Sequence, residues 1–172
     1  MHALTLWRPW TDAIVAAPAE VAKRVENRDW SPPLALHGQR FALHAGKRYD
    51  EASAVLVGIA TRGSGWSVPS ADESPQGVVG VVRLRGIVRV DPVTHSGQVI
   101  DRRVVPSRHT VLSRPELDAL VDDQYLVGPY GWLLDDVVQI PAVACGGAQK
   151  LWRLPESVER MVVARAAEAR AA

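Results

Sequence analysis

The longest strand signal in this sequence, at residues 77–90, constrains the fold more than any other stretch. One face of this strand is apolar and the other is basic. The apolar face carries Val82, Leu84, Val88 and Val90. The basic face carries Arg83, Arg85 and Arg89. Alternation with a period of two is typical of an antiparallel strand with one face on a core and one in water. The arginine face is open to two interpretations, a solvated surface or a track for a phosphate backbone.

Shorter apolar segments and turn residues predict the other elements. Strands are expected at residues 3–7, 39–45, 132–140 and 150–154, and helices at residues 11–22, 50–61, 115–121 and from Pro155 onward. We expect Gly46-Lys47 to end the strand at 39–45 and Pro141 to limit the strand at 132–140. Residues 91–109 are interpreted as a loop or an irregular hairpin. About six short strands and two to four helices predict an α+β fold, a small mixed β-barrel flanked by helices.

Local signals predict how several helices begin and which faces they present. Thr11 is the expected N-cap of the first helix, and Pro18 interrupts that helix before a last turn at residues 20–22. Lys23 would then lie near the helix C-terminus, where the macrodipole favours a cation. The second helix carries apolar residues at helical spacing, namely Ala52, Val55, Leu56 and Ile59. Ser113 is the expected cap of the third helix.

Length and composition exclude several classes of protein. A chain of 172 residues has the length of one domain, and its single cysteine, Cys145, leaves no intramolecular disulfide and indicates a reducing compartment. The five histidines lack metal-ligand spacing, and no glycine-rich phosphate loop occurs, so we expect no metal and no cofactor. A net charge of +1 argues against a large duplex-binding surface. No apolar run approaches the roughly 20 residues of a membrane span, so a cytoplasmic protein without a membrane partner is expected.

The densest cluster of charged residues is the stretch at 23–30, which reads Lys-Arg-Val-Glu-Asn-Arg-Asp-Trp. One interpretation is a solvated loop closed by ion pairs. The other is a polar pocket in which an ammonium, a carboxylate and a guanidinium face one ligand. Trp7, Trp10 and Trp30 bracket this stretch and the preceding helix, and indoles can stack on unpaired bases, so these three are candidates for a pocket wall.

Residues 62–76 form a second unusual segment, rich in glycine, serine and proline. A loop of this length in a compact domain is typically functional or disordered. Trp66 at its centre is either a stacking residue on a lid or an anchor that holds the loop against the core.

Three short motifs occur in order: Leu-Thr-Leu-Trp-Arg-Pro-Trp at 4–10, Lys-x-x-Glu-Asn-Arg-x-Trp at 23–30, and Ala-Leu-His-Ala-Gly-Lys at 42–47. With Tyr-Gly-Trp at 130–132 and Lys-Leu-Trp at 150–152, they resemble the ASCH domain family. The resemblance covers most of the chain, from about residue 3 to about residue 154, and implies an ASCH/PUA-like domain at residues 1–154 with the helix at 155–172 appended to it. It implies a PUA-like barrel that binds RNA or a nucleotide in a cleft, single strands more readily than duplexes.

The family signature, Gly-x-Lys-x-x-Glu-x-Arg, places Lys23, Glu26 and Arg28 at the cleft, with Val21 at the position of the glycine. The resemblance implies a larger ligand-binding set: Arg8, Trp10, Lys23, Glu26, Arg28, Trp30, His44 and Lys47. A branch of the family removes the acetyl group from N4-acetylcytidine, and other members are described as nucleases.

Three hypotheses follow. The first is an RNA- or nucleotide-binding module. The second is a hydrolase of RNA or a modified nucleoside in which Lys23 is the general base and Glu26 moves the proton. The third is a structural or protein-interaction barrel stabilised by ion pairs in the charged stretch.

Overall fold

The structure is a computed structural model and describes residues 1–96 and 98–172. The chain divides into two compact units. The first unit comprises Met1–Lys23, Arg40–Arg83 and Asp136–Ala172. The second unit comprises Arg24–Gln39 and Leu84–Asp135. Each unit is built from segments that are distant in sequence, because two long strands contribute one part to each.

Across the described residues the chain has seven strands and four helices. The strands are β1 (His2–Arg8), β2 (Val25–Arg28), β3 (Arg40–Tyr49), β4 (Gly77–His95), β5 (Gln98–Pro106), β6 (Tyr130–Val143) and β7 (Leu151–Arg153). The helices are α1 (Trp10–Val15), α2 (Glu51–Ala60), α3 (Arg114–Val121) and α4 (Glu156–Ala171), with a 3-10 turn at Leu34–Leu36. The strands form a mixed sheet in the order β2-β6-β4-β3-β1-β7, with β5 paired to β4. The predicted fold class, α+β with a small mixed β-barrel flanked by helices, is confirmed.

In the first unit β3 is the central strand. It pairs in parallel with β1 and antiparallel with β4, and β7 pairs antiparallel with the other side of β1. Both faces of β3 are covered, which explains why its residues from 41 to 46 are all buried rather than alternating. Helix α4 packs into this core through its apolar stripe. The core residues are Ala3, Ala42, Val78, Val81, Val138, Ile140, Val143, Leu154, Val158, Val162 and Ala166.

In the second unit two antiparallel pairs, β2 with β6 and β4 with β5, are accompanied by helix α3. A cluster of buried aliphatic residues forms its core: Val25, Val88, Val104, Leu126 and Leu133. The predicted cap of α3 is confirmed, since Ser113 and Glu116 form a reciprocal capping box and Pro115 lies in the first turn. Local chemistry therefore decides where this helix begins.

The prediction for the first helix was wrong at both ends. Helix α1 begins at Trp10 after Pro9, so Thr11 lies inside the helix, fully buried, and is not its N-cap. The helix ends at Val15 and does not restart after Pro18. Lys23 is therefore not part of a final helical turn. It nevertheless lies near the C-terminus of α1, as predicted, because its backbone N–H donates to the carbonyl of Ala13, in the last turn of that helix, at 2.9 Å.

Two strands run further than predicted. Strand β3 does not end at Gly46-Lys47 but continues to Tyr49. Strand β6 passes through Pro141 to Val143. Pro141 is at an exposed position, and Arg165 donates to the carbonyls of Pro141 and Ala142 at 2.8 and 2.7 Å. The segment after residue 90 is the irregular hairpin of the two alternatives, since β4 and β5 pair with a register shift at Val93.

Helix α2 is present as predicted, with Asp50 as its N-cap, but its apolar stripe is not the buried face. Val55, Leu56 and Ile59 are exposed, while Ser53 and Val57 are buried. Periodicity therefore predicted the helix but not which of its faces is buried. None of the helices among the described residues is long and apolar enough to cross a membrane.

Candidate functional site

Lys23 is the most unusual residue of the candidate set, because its side chain is only 2% exposed. Its ammonium lies 5.5 Å from the centre of the Trp10 ring, within the range of a cation–π contact. Trp10 opens α1, and the backbone N–H of Lys23 returns to the same helix at Ala13. The sequence placed these residues 13 positions apart, and the fold of the first unit brings them together. A lysine is rarely buried to this degree unless its charge is paired.

Arg8 is buried at the end of β1 and holds four backbone carbonyls. Its Nε donates to Gly46 at 3.0 Å, one terminal nitrogen donates to Ala71 at 2.8 Å and Ser74 at 2.6 Å, and the other donates to Lys47 at 2.9 Å. Four of the five N–H groups of a guanidinium are thereby used. The first observable role of Arg8 is structural, since it joins β3 to the loop at 62–76.

Two further contacts hold the same loop. The Ser74 hydroxyl donates to the buried carboxylate of Asp12 at 2.6 Å, and the Tyr49 hydroxyl donates to the carbonyl of Pro69 at 2.6 Å. Burial raises the pKa of Asp12, and the Ser74 hydrogen bond partly opposes this effect. No local sequence pattern indicates that Asp12 has a partner 62 positions away. Trp66 is half-buried.

His44 lies in the core of the first unit, on β3. Its Nε2 is 3.1 Å from the carbonyl of Cys145, and its ring meets the edge of Trp152 with centroids 5.6 Å apart. Burial lowers the pKa of His44, although the contact with the Cys145 carbonyl acts in the opposite direction. The neutral ring with the proton on Nε2 satisfies this geometry. Gly147 packs directly against the ring, leaving no room for a Cβ.

Lys47, the remaining candidate of the first unit, is exposed on β3. Its neighbour Arg48, which no motif singled out, stacks on the ring of Trp7 with 3.5 Å between the guanidinium carbon and the ring centre. The sequence analysis considered Trp7 as a pocket wall. The structure places its side chain on the surface, 48% exposed.

In the second unit Glu26 and Arg28 lie on β2. The charged stretch is therefore in part a strand and not the solvated loop that one interpretation predicted. Glu26 is buried, and its carboxylate is 3.1 Å from the guanidinium of Arg28, which is two residues further along the same strand. Residues two apart lie on the same face of a strand, which accounts for the pairing. In the antiparallel register Glu26 lies opposite Trp132.

Trp30 follows β2 and packs on a partner tryptophan. Its ring meets Trp132 edge to face at 4.8 Å, and its carbonyl accepts from the Trp132 indole N–H at 3.3 Å. Asn27, missed as a specific residue, binds the loop before β6. Its amide donates to the carbonyl of Tyr125 at 2.5 Å, and its oxygen accepts from the backbone amides of Val127 and Gly128, both at 3.0 Å.

In the second unit, two arginines on the basic face of β4 form ion pairs with carboxylates. Arg85 pairs with Glu116 of α3, and Arg89 pairs with Asp91 at 2.7 Å. The hydrogen bond from Arg85 is the largest of the effects that lower the pKa of Glu116 to about 2. These ion pairs reduce the positive field of this face and favour the solvated-surface interpretation over a phosphate track.

The candidate set is thus distributed over both units. Arg8, Trp10, Lys23, His44 and Lys47 belong to the first unit, and Glu26, Arg28 and Trp30 belong to the second. Within the described part of the chain, no group of three or more histidine, cysteine or acidic residues is arranged to hold a metal ion. No protein-family model matches the sequence, and no curated protein matches it either.

Proposed function

We propose that this protein is an ASCH-like binding protein for RNA or a nucleotide, and that it recognises a single unpaired base or nucleotide through Lys23 and Trp10. The observation that carries the proposal is the ammonium of Lys23, 2% exposed, over the ring of Trp10. The resemblance of three ordered motifs to the ASCH family supports the same conclusion. A reducing, cytoplasmic setting agrees with the single cysteine.

Burial strengthens the hydrogen bond that the Lys23 ammonium can donate to a ligand. A charged donor surrounded by protein interacts with an acceptor more strongly than the same donor in water, because the local dielectric is lower. An indole beside the ammonium offers a stacking surface for a base. A group this buried suits a small acceptor, such as a base edge or one phosphate, better than the rigid backbone of a duplex. Because the arginines of β4 are ion-paired, their face is also less suited to the phosphate backbone of a long duplex than to a single nucleotide.

The hydrolase hypothesis assigns Lys23 as general base and Glu26 as proton shuttle. The Glu26 carboxylate has a defined cationic partner in Arg28 at 3.1 Å. A carboxylate held by a guanidinium is well suited to accept hydrogen bonds from a base amino group and less suited to move a proton. This contact favours binding over hydrolysis, and the hydrolytic alternative becomes an outcome of the experiment below.

The first experiment compares the wild-type protein with Lys23→Met. Affinities for nucleoside monophosphates and short single-stranded RNA are measured by isothermal titration calorimetry. Loss of the buried charged donor is expected to weaken binding by about tenfold or more, since a hydrogen bond from a charged group contributes about 1.5–3 kcal/mol. Lys150→Met is the matched control, because Lys150 is exposed. Thermal unfolding of both variants separates lost binding from lost folding.

The outcomes discriminate the three hypotheses. Weakened binding in Lys23→Met, with unchanged affinity in Lys150→Met, supports the proposal. Mass spectrometry of the same RNA and of acetylated nucleosides after incubation tests hydrolysis, and Lys23-dependent cleavage or acetyl loss would establish an enzyme. If Lys23→Met together with Glu26→Gln lowers the melting temperature and wild-type protein binds no nucleotide, the structural hypothesis replaces the proposal.

A further inference from the structure

The surface of the first unit carries an aromatic–cationic platform in which Arg48 stacks on Trp7, and Lys47 directly precedes Arg48 on β3. Trp7 is 48% exposed and the Arg48 side chain is 58% exposed, yet the guanidinium lies 3.5 Å from the centre of the indole ring. Lys47 is also exposed. Two planar groups stacked on a surface present a flat face of the kind that stacks on unpaired bases.

The backbone of β1 and β3 produces this platform by a change of register. Leu6 pairs with Ala45, but Arg8 pairs with Tyr49, so Trp7 alone on β1 lies opposite residues 46–48 on β3. The additional residues form a bulge, and a bulge re-aims the side chains that it contains.

Buried groups beneath the platform hold the bulge in place. Two N–H groups of the Arg8 guanidinium donate to the carbonyls of Gly46 and Lys47 at 3.0 and 2.9 Å. A Cβ at Gly46 would lie 3.1 Å from the carbonyl oxygen of Leu6, so the two strands approach closely at this point. Arg8, assigned to ligand binding from the sequence, thus positions Lys47 and Arg48 from below.

The charge of the platform is positive. Asp50, the nearest carboxylate to Arg48 in its ion-pair contacts, is 3.9 Å away, at the limit of an ion pair. Its other oxygen caps α2 by accepting from the backbone N–H of Ser53 at 3.2 Å. Asp50 is therefore divided between a helix cap and a weak contact, and it offsets the charges of Lys47 and Arg48 only in part.

We propose that the Trp7–Arg48 stack is a second nucleotide subsite, in which an unpaired base stacks on the platform and Lys47 binds an adjacent phosphate. This inference rests on the proposed function and deepens it: the ligand is single-stranded RNA of more than one nucleotide. A base stacked on the platform contributes affinity that a mononucleotide bound at Lys23 lacks. The expected gain is about tenfold for an oligonucleotide over a mononucleotide.

The test measures affinity for uridine and adenosine monophosphates and for oligo(U) and oligo(A) of two, four and eight nucleotides. The proteins are wild type, Trp7→Ala, Trp7→Phe, Arg48→Ala and Lys47→Ala. Trp7→Ala and Arg48→Ala are expected to weaken oligonucleotide binding by about tenfold and to leave mononucleotide affinity unchanged. Trp7→Phe retains an aromatic face and is expected to recover part of the loss. Lys47→Ala is expected to make the slope of log affinity against log salt concentration less steep by about 0.7, the value for one phosphate contact on a single strand.

Two controls match the platform in exposure. Leu34→Ala removes an exposed apolar side chain, and Arg114→Ala removes an exposed arginine, both in the second unit. Neither is expected to change oligonucleotide affinity. Thermal unfolding of each variant shows whether a loss comes from misfolding, and Arg48→Ala tests the platform without changing a residue packed between strands.

The results separate this inference from the proposed function. Lys23-dependent binding of mononucleotides, with no gain on lengthening and no effect of Trp7→Ala or Arg48→Ala, overturns the subsite alone. Oligonucleotide binding that depends on Trp7 but not on Lys23 supports the subsite and overturns the assignment of Lys23. An absence of binding for every probe overturns both.

Discussion

Arg8 and Ser74 lie 66 positions apart in sequence, and the guanidinium of Arg8 donates to the Ser74 carbonyl at 2.6 Å in the interior of the first unit. The same side chain also binds Gly46, Lys47 and Ala71. One buried cation thereby fixes a strand bulge and a long loop simultaneously.

Arg8→Met is expected to destabilise the protein by on the order of 3 kcal/mol, because it leaves four carbonyls without their charged donor. Chemical denaturation measures this change. Trypsin cleavage after Arg62, in the loop that Arg8 holds, is expected to accelerate as well. Arg114→Met is the control, since Arg114 makes only an exposed pair with Asp118. A change below 1 kcal/mol for Arg8→Met would show that the loop is held mainly by its other contacts.

Gly77→Ala is expected to destabilise the first unit by on the order of 3 kcal/mol, because two penalties coincide. The φ angle is +104°, and a Cβ there would clash with the carbonyl oxygen of Val143. Gly38→Ala separates the two effects, since Gly38 has a φ of +75° with nothing within 4 Å of a Cβ. It is expected to cost only about 1 kcal/mol. Equal unfolding free energies for the two variants would contradict the steric part of this explanation.

His44 is expected to make stability depend on pH below its ordinary pKa of 6.5. Burial lowers the pKa of His44 in the folded state, so the unfolded chain takes up the proton first and stability falls as the pH falls below 6.5. Melting temperatures between pH 7.5 and 5 are compared for wild type and His44→Gln.

Both proteins in that comparison carry His2→Gln, because burial also lowers the pKa of His2. In this background the acid-side loss is expected to be smaller in the His44 variant. An NMR titration of the His44 ring provides a direct measurement, and a midpoint at or above 6.5 would refute the prediction.

The Arg85–Glu116 pair is expected to contribute stability that disappears in acid. The pKa of Glu116 is lowered from 4.5 to about 2, so the contribution is complete above pH 4.5 and is lost as the pH falls through about 2. Glu116→Gln removes the charge and keeps a side-chain oxygen for the capping box with Ser113. The difference in melting temperature between wild type and variant is expected to shrink from pH 5 to pH 2. Asp118→Asn is the control, and a difference independent of pH would contradict the assignment.

Much of the secondary structure could be predicted because its signals are local. The alternation at 77–90 and the cap at Ser113 depend on neighbours within a few positions, and both predictions are confirmed. The errors occur where a distant partner decides. Strand β6 continues through Pro141, whose carbonyl accepts from Arg165 of α4, and no sequence pattern near Pro141 indicates that contact.

The candidate site shows the same division. Lys23 and Glu26 were selected from a sequence motif. Their charges and their proximity in sequence are known without a structure. The burial of Lys23 over Trp10, the ion pair of Glu26 with Arg28 and the stack of Arg48 on Trp7 required coordinates. The roles of Lys23, Glu26 and the other candidates in binding stay predictions until the experiments above are done.

The sequence by itself determined the α+β class, the long strand at 77–90, the beginning of α3 and the clustering of charged residues at 23–30. These follow from side-chain periodicity and from hydrogen bonds between near neighbours, which the chain carries wherever it folds. Only the tertiary structure decided which face of α2 is covered, where Lys23 lies and what Arg8 holds. The physical reason is that burial and long-range hydrogen bonds depend on which segments pack together, and that depends on the whole chain.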